Sequence, residues 1–403
     1  MKPIEVMLIA GETSGDILAA ELVQALRREL IAKDGALNRD PQPLRTALEP
    51  RFYGAGGPQM KLAGAQVDID LVSHSVIGLF DVLKNIRQFR RWFAKLERLA
   101  IERQPDVIIG VDYGGFNLRF GHAIRQFARR HANLFEIWNP KIVQYVSPQV
   151  WASREGRVDL LARDYDLLLS IFPFEKDWYA RRVPRLPVEY VGHPMVERLA
   201  RFVRSHNASG PEPAHPLVVL LPGSRQNELK RHLPVILQSV DQMRSAMPGL
   251  RSILVAPDEA LATRARSTAA AHQVSVQVGA LPSALAQADV AIASTGTVTM
   301  ECAFFGVPAV TLYRTSWGTY ALAKCLAKVN TLTMPNLLAG RQVLPEFIQG
   351  AATAENIAGA ALELLKNEKR RQEIKSSLAS VVASLGGPGA SRRAARRIAQ
   401  LLR

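Results

Sequence analysis

The sequence predicts an α/β fold made twice over, two facing Rossmann-like lobes with an interdomain cleft, each lobe a doubly wound parallel sheet. Three observations predict it. Short apolar, β-rich runs alternate with helical patterns along the chain, as in parallel sheets buried on both faces. Several runs break into glycine- or hydroxyl-rich turns before the next helix, where open α/β sheets bind ligands. A Ser-, Gly- and Pro-rich stretch, RSHNASGPEPAHP at 204–216, divides the chain into halves of similar size. A chain of 403 residues that is 48% hydrophobic is long enough for two cores, at the usual ~100–200 residues per domain. The expected divisions are a first lobe at 1–203, a linker at 204–216, a second lobe at 217–365, and helices at 366–403 that pack back on a first lobe, their own or a partner's.

Composition narrows the function classes. The apolar runs fall far short of the ~20 residues that span a bilayer. The start, MKPIEVMLIAGETSGD, leads directly into a glycine loop, which fits a first strand better than a signal peptide, so a cytoplasmic protein is expected. Cys302 and Cys325 are too few and too isolated for a zinc site or a disulfide framework, and are expected to be reduced core residues. The net charge of +15 suits nucleic acid, anionic lipid headgroups or phosphorylated substrates. Helix-turn-helix, RNP and zinc-finger patterns are missing from the sequence, which disfavours nucleic acid.

In the first lobe, residues 4–10 read as the opening strand. Gly11-Glu12-Thr13-Ser14-Gly15-Asp16 turns it into a helix carrying Ile17, Leu18, Leu22, Ala25 and Leu26. The glycines allow close approach of a ligand to the backbone. Glu12 and Asp16 argue against a phosphate there and fit a sugar or amine contact, or simple N-terminal capping. Residues 38–50 form a Pro- and charge-rich loop, 51–57 a second strand, and 58–63 the start of a helix. Residues 106–110 are a buried strand delivering Asp112, Tyr113, Gly114 and Gly115 at its carboxyl end, where an Asp is either a general base or a helix cap. Strands at 141–146, 167–171 and 188–191 lead into Ser147-Pro148-Gln149-Val150-Trp151, Pro173-Phe174-Glu175 and Gly192-His193-Pro194. His193, far from any second His or Cys, reads as a hydrogen-bonding partner for a ligand phosphate or as a hinge residue.

Residues 76–101 combine an apolar stripe with a basic flank. Val76, Leu79, Phe80, Leu83, Ile86, Phe89, Trp92, Phe93, Leu96 and Leu99 recur at helical spacing among Lys84, Arg87, Arg90, Arg91, Lys95 and Arg98. Such a helix packs on its sheet or lies on a membrane surface, and both can hold here, with Leu79, Phe80, Leu83, Phe89, Arg90 and Trp92 as the membrane contacts.

In the second lobe, strands are expected at 217–221, 252–256, 274–278, 290–293 and 307–312. The stretch LVVLLPGSRQNEL at 217–229 breaks at Pro222-Gly223, exposes Ser224 and Arg225, and continues as a helix. Backbone N–H groups and a guanidinium then face one spot that suits a phosphate. The other reading is an ordinary turn with a solvated Arg, since PGSR is far less than a full Walker sequence. Ser294-Thr295-Gly296-Thr297 at a helix start would accept a diphosphate, with Glu301 about a turn later on ribose hydroxyls, or else form a capped helix with a structural Glu. Both loops are expected at one sheet edge. Residues 334–341 form a polar-tipped loop, and from 354 the chain is helical and basic.

The motifs GETSGD (11–16), GVDYGGFN (110–117), YVSPQVWA (145–152), PFEK (173–176), VGHP (191–194), LPGSR (221–225), STGT (294–297) with Glu301, and PNLLAGR (335–341) form an ordered set. The set resembles the lipid-A-disaccharide synthases, inverting glycosyltransferases of GT-B architecture. The resemblance implies transfer of 2,3-diacylglucosamine from UDP to the 6-hydroxyl of 2,3-diacylglucosamine 1-phosphate, giving a β-1,6-linked disaccharide and UDP. It implies Asp112 as the base and Arg225 on the departing diphosphate. Ser224, Ser294, Thr295, Gly296, Thr297, Glu301 and Asn336 join Arg225 on the donor side, with Glu12, Ser14, Asp16 and His193 on the acceptor side, and neither metal nor cofactor is expected. Peripheral attachment to the anionic inner-membrane surface is implied as well, with a homodimer that exchanges the carboxyl-terminal helices. Gly115 stands where the family usually has a second Asp, and Ser153 where it usually has a second Trp. Two other readings are a transferase of N-acetylglucosamine from UDP to a lipid-linked acceptor, against which GETSGD and PNLLAGR speak, and a non-catalytic two-lobed binding protein for a phosphorylated ligand.

Overall fold

A computed structural model describes residues 2–36, 49–72, 86–132, 138–153, 155–205, 215–326 and 329–402. The chain divides into two compact units, Met1–Pro194 with Gly387–Arg403, and Met195–Gly386.

The first unit is a parallel sheet of β1 (Glu5–Ala10), β2 (Arg51–Gly56), β3 (Gln66–Asp70), β4 (Val107–Val111), β5 (Lys141–Tyr145), β6 (Leu167–Ser170) and β7 (Val188–Tyr190), in the order β3-β2-β1-β4-β5-β6-β7. Every residue of β1 and β4 is buried, which is why, after Glu5 at the start of β1, both read as continuous apolar runs without alternation. They pair in parallel with Val6 opposite Val107 and Ala10 opposite Val111. From β1 the chain winds outward to β2 and β3, and from β4 it winds the other way. The loops after β1 and β4 therefore share the topological switch point, where such sheets bind ligands.

The second unit repeats the plan with β8 (Leu217–Leu221), β9 (Arg251–Ala256), β10 (Ser275–Val278), β11 (Val290–Ser294), β12 (Ala309–Tyr313) and β13 (Glu346–Ile348), in the order β10-β9-β8-β11-β12-β13. Its switch point lies between β8 and β11, so the Pro222–Arg225 and Thr295–Thr297 loops are neighbours. Leu233, Ile236, Leu237, Val240 and Met243 of the helix Gln226–Ala246 are buried in this core. Burial of each such side chain contributes about 1.5–3 kcal/mol.

Several expectations are corrected. The edge strands β3 and β13 were not expected: QVDID carries two acids and EFI is only three residues long. The break falls at Pro194 and not at 204–216. The helix Pro194–Ser205 clusters with the second unit, where Leu199 is buried and the Phe202 ring lies 6.0 Å from that of Phe305. The tail block at 366–403 is split. The helix Glu368–Ser384 buries Ile374, Leu378 and Val381 in the second unit, whereas Ala390–Leu401 packs on the helix Thr13–Ala36 of the first. Ala394, Ala395 and Ile398 supply that contact face, and Arg393 Nε donates to the Val191 carbonyl at 2.7 Å. Cys302 is buried as expected, but Cys325 is exposed.

The basic, apolar segment is a helix at Ile86–Arg103. Leu96 and Ala100 are buried, and the Phe93 ring meets those of Phe116 and Phe120 at 5.4 and 5.6 Å. Trp92 is half-buried and packs on the same core, with Phe89 edge-on to it at 5.4 Å, while Arg90 is exposed. Leu79, Phe80 and Leu83 lie outside the described residues. Among the described residues no helix is long and apolar enough to cross a membrane.

Candidate functional site

In the first unit the loop after β4 turns on two consecutive left-handed residues, Asp112 at φ 52° and Tyr113 at φ 47°. Side chains with a Cβ pay about 1–2 kcal/mol for this conformation, so the surroundings must hold it. The Asp112 N–H donates to the Tyr145 carbonyl at 2.9 Å. The Asp112 carbonyl accepts from Asn117 Nδ2 and Gln144 Nε2, both at 2.8 Å, and both amides are buried. The Tyr113 ring lies where any side chain at Gly11 would have to go, which explains the glycine at the end of β1.

Asp112 itself is half-buried. Burial first, and then the nearby Glu12, raise its carboxyl above the ordinary value, while the Tyr113 N–H pulls it down. A raised carboxyl is a stronger base once ionised. Ser14 is exposed at the start of the helix Thr13–Ala36, on the same side of the switch point as Glu12. His193 sits after β7, three strands from β4, with its ring 5.6 Å from that of Phe172.

Asp16 does not fit the sugar contact expected of it. It is 1% exposed, and its carboxylate accepts the N–H groups of Gly57, Gln59 and Met60 at 2.8, 2.9 and 3.0 Å. It caps the helix Pro58–Leu62, and a Cβ at Gly57 would lie 2.6 Å from Asp16 Oδ2. A carboxylate so enclosed has no face left for a ligand.

In the second unit Arg225 is the N-cap of the helix Gln226–Ala246, and Gly223 before it takes φ 126°. The expected phosphate position holds an internal anion. Glu228 accepts the Ser224 N–H at 3.0 Å and pairs with the Arg225 guanidinium at 3.7 Å. The carboxylate of Glu228 crowds the place of a Cβ at Gly223, so the turn and the acid are matched. Across the switch point, Ser294 is buried at the end of β11, Thr295 is half-buried, and Gly296 and Thr297 are exposed. Glu301 is half-buried on the helix Val298–Phe304, its carboxyl raised by burial and lowered by Arg198.

A residue with no expected role joins these loops. His232 is fully buried, its Nδ1 2.7 Å from the Pro222 carbonyl and its Nε2 accepting the Arg314 N–H at 2.9 Å. The two partners define the neutral tautomer with the proton on Nδ1, and burial lowers its pKa. It ties the loop after β8 to the loop after β12.

Asn336 is another correction. It is 1% exposed, its Nδ2 donates to the Leu344 carbonyl and Glu346 at 2.9 and 2.8 Å, and its Oδ1 accepts from Val343 and Leu344 at 2.8 and 2.7 Å. Two donors and two lone pairs are all that an amide has, so Asn336 shapes its loop and has nothing left for the donor. Asn117, Gln144, Glu228 and His232 were missed as contributors. Only Asn117 had a signal, its place inside GVDYGGFN.

Two parallel sheets, each wound outward in both directions from a switch point, define a protein of two Rossmann-like units. Among solved structures, a UDP-GlcNAc 2-epimerase from Neisseria meningitidis bound to UDP-GlcNAc matches with TM-score 0.59 at 11% identity, covering 98% of this chain and 100% of that one. The glycotransferase of kitacinnamycin matches with TM-score 0.56 at 17% identity, covering 100% of each chain. These likenesses show the fold. The family model described as Lipid-A-disaccharide synthetase matches residues 6–400. The lipid-A-disaccharide synthase of Trichlorobacter lovleyi is 34% identical over 401 residues, 98% of this chain and 96% of the relative. That of Chromohalobacter salexigens is 35% identical over 406 residues, 99% of this chain and 97% of the relative. The chain is a glycosyltransferase and belongs to the lipid-A-disaccharide synthase family.

Proposed function

We propose that Asp112 is the general base, and that the loops after β8 and β11 hold UDP, in the synthesis of the lipid A disaccharide. The reaction transfers 2,3-diacylglucosamine from UDP to the 6-hydroxyl of 2,3-diacylglucosamine 1-phosphate. Asp112 takes the proton of that hydroxyl as its oxygen attacks the anomeric carbon from the face opposite the diphosphate. The carbon–oxygen bond to UDP breaks, the β-linked product forms, and Arg225 with the Ser294–Thr297 loop stabilises the departing negative charge. The observation that carries the reading is the strained left-handed turn at Asp112, held by two buried amides at a switch point, with a carboxyl of raised pKa.

Glu12 and Ser14 stand on the acceptor side. Ser224, Thr295, Gly296, Thr297 and Glu301 stand on the donor side, where the diphosphate would displace the Glu228 carboxylate from Ser224 and Arg225. Attachment to an anionic membrane surface is supported by the exposed Arg90, Arg91, Lys95 and Arg98 along the helix Ile86–Arg103.

Asp112→Asn tests the base: turnover should fall by orders of magnitude while UDP still binds. Unchanged turnover would remove Asp112 from the chemistry. Arg225→Ala should weaken both UDP binding and turnover.

A further inference from the structure

Three loops leave the carboxyl edge of the second sheet side by side, because β11 lies between β8 and β12. The middle one is joined to its neighbour by the Thr295 N–H, which donates to the Leu312 carbonyl of β12 at 3.2 Å. Arg225 stands after β8 on one side of it, and Arg314, the first residue after β12, stands on the other.

The backbone at Arg314 is fixed from both directions. Its N–H donates to Nε2 of the buried His232 at 2.9 Å, and Nδ1 of the same ring lies 2.7 Å from the Pro222 carbonyl, so one imidazole sets the spacing of the loops after β8 and β12. The next residue is clamped by one side-chain amide. The Thr315 N–H donates to Gln349 Oε1 at 2.7 Å, and Gln349 Nε2 donates to the Thr315 carbonyl at 3.2 Å. Gln349 is buried and takes φ 53°, a left-handed conformation that its surroundings must support. Two buried polar side chains thus serve to place one arginine.

The two arginines differ in their counter-charges. Arg225 carries its own, the Glu228 carboxylate at 3.7 Å, which also accepts the Ser224 N–H. Arg314 is half-buried, and no acid pairs with it among the described residues. Its guanidinium is near enough to His232 to oppose protonation of the ring, which keeps the charge beside the loop after β8. A half-buried cation without an acid is stabilised by an anionic ligand, and the planar guanidinium fork suits phosphate oxygens.

We propose that Arg314 is a further catalytic residue, the second cation on the donor diphosphate, reaching it from the β12 side as Arg225 does from the β8 side. This rests on the reading that the loops after β8 and β11 hold UDP. As the bond from the anomeric carbon to the diphosphate oxygen breaks, its electron pair leaves with UDP, and the developing charge falls between the two guanidiniums. Arg225 must first give up Glu228, whereas Arg314 meets the diphosphate with its charge uncompensated.

The test is UDP binding by calorimetry, turnover to disaccharide and thermal unfolding, on the full chain with Arg314→Gln, Arg314→Lys and Arg225→Ala. Arg314→Gln should bind UDP about tenfold more weakly and lose at least as much turnover. Its unfolding midpoint should not change, because the backbone N–H that bonds His232 is kept. Arg314→Lys should recover part of the binding, since it restores the charge without the fork. UDP binding and turnover unchanged in Arg314→Gln, with both weakened in Arg225→Ala, would overturn the proposal and leave the UDP loops in place. A lowered midpoint with undiminished UDP binding would assign Arg314 to the fold alone and overturn it too. Undiminished UDP binding in Arg225→Ala and Arg314→Gln alike would remove the reading of the loops together with the proposal.

Discussion

Glu175 Oε1 accepts the indole N–H of Trp151 at 3.0 Å with both residues buried, Glu175 being 0% exposed. Its other oxygen takes the Phe172 N–H at 3.3 Å, so one carboxylate joins the loop after β5 to the start of the helix Pro173–Arg182. The β5 loop in turn abuts the Asp112 turn, because a Cβ at Gly114 would lie 2.9 Å from Pro148.

Burial pushes the Glu175 carboxyl up to about 7, against the pull of its hydrogen bonds. With a folded pKa above the unfolded one, the group binds its proton more tightly when folded. Its contribution is full below the ordinary glutamate range and is lost as the pH rises to about 7. Thermal unfolding at pH 5 and pH 8 should therefore show a loss on the order of a few kcal/mol in the wild type. Glu175→Gln should flatten that slope, and an unchanged slope would assign it to other groups.

His232 should show the opposite sign. Its depressed pKa favours the neutral ring, so its contribution is full above the ordinary histidine value and is lost as the pH falls through the folded one. His232→Leu keeps bulk but strands the Pro222 carbonyl and the Arg314 N–H. The cost should be about 2–4 kcal/mol by denaturant unfolding, with weaker UDP binding by calorimetry.

Glu228 competes with the diphosphate for Ser224 and Arg225. Glu228→Gln keeps an acceptor for the Ser224 N–H and removes the charge. Since the Arg225 pair is partly solvated, the release is about 1 kcal/mol or less, so UDP should bind up to about fivefold more tightly by calorimetry. Weaker binding would show that the carboxylate organises the turn more than it opposes the ligand.

Gly115 has open space around it: a Cβ there meets nothing within 4 Å. Gly115→Asp should fold at least as stably as the wild type, gaining about 0.5–1 kcal/mol because an acid replaces glycine in the first turn of the helix Gly114–His131. The new carboxylate should also raise the apparent pKa of the base, read as an upward shift of the acidic limb of the pH–rate profile.

Most of the fold was legible in the sequence because central strands buried on both faces must be continuously apolar. The edge strands β3 and β13 were not, since their exposed faces tolerate charge and one is only three residues long. Loop composition pointed to a division at 204–216, but the break follows the packing of Leu199 and Phe202, which composition does not encode. The turns at Asp112 and Arg225 were legible as glycine-flanked breaks after strands. Which backbone groups a polar side chain faces was not. Asp16 caps a helix beginning more than forty residues away, and Asn336 spends all its bonds on its own loop. Glu228 and His232 were hidden inside a regular helix, where a sequence pattern shows only a face.

Because the helix Ala390–Leu401 belongs to the first unit and the whole second unit intervenes, the order of synthesis differs from the order of assembly. On the ribosome the helix Thr13–Ala36 emerges early, with the apolar patch that will receive Ala394, Ala395 and Ile398 still bare. The second unit is contiguous and can close as it appears, as domains do during translation. The first unit must wait for it, holding an open seam through most of its own biogenesis.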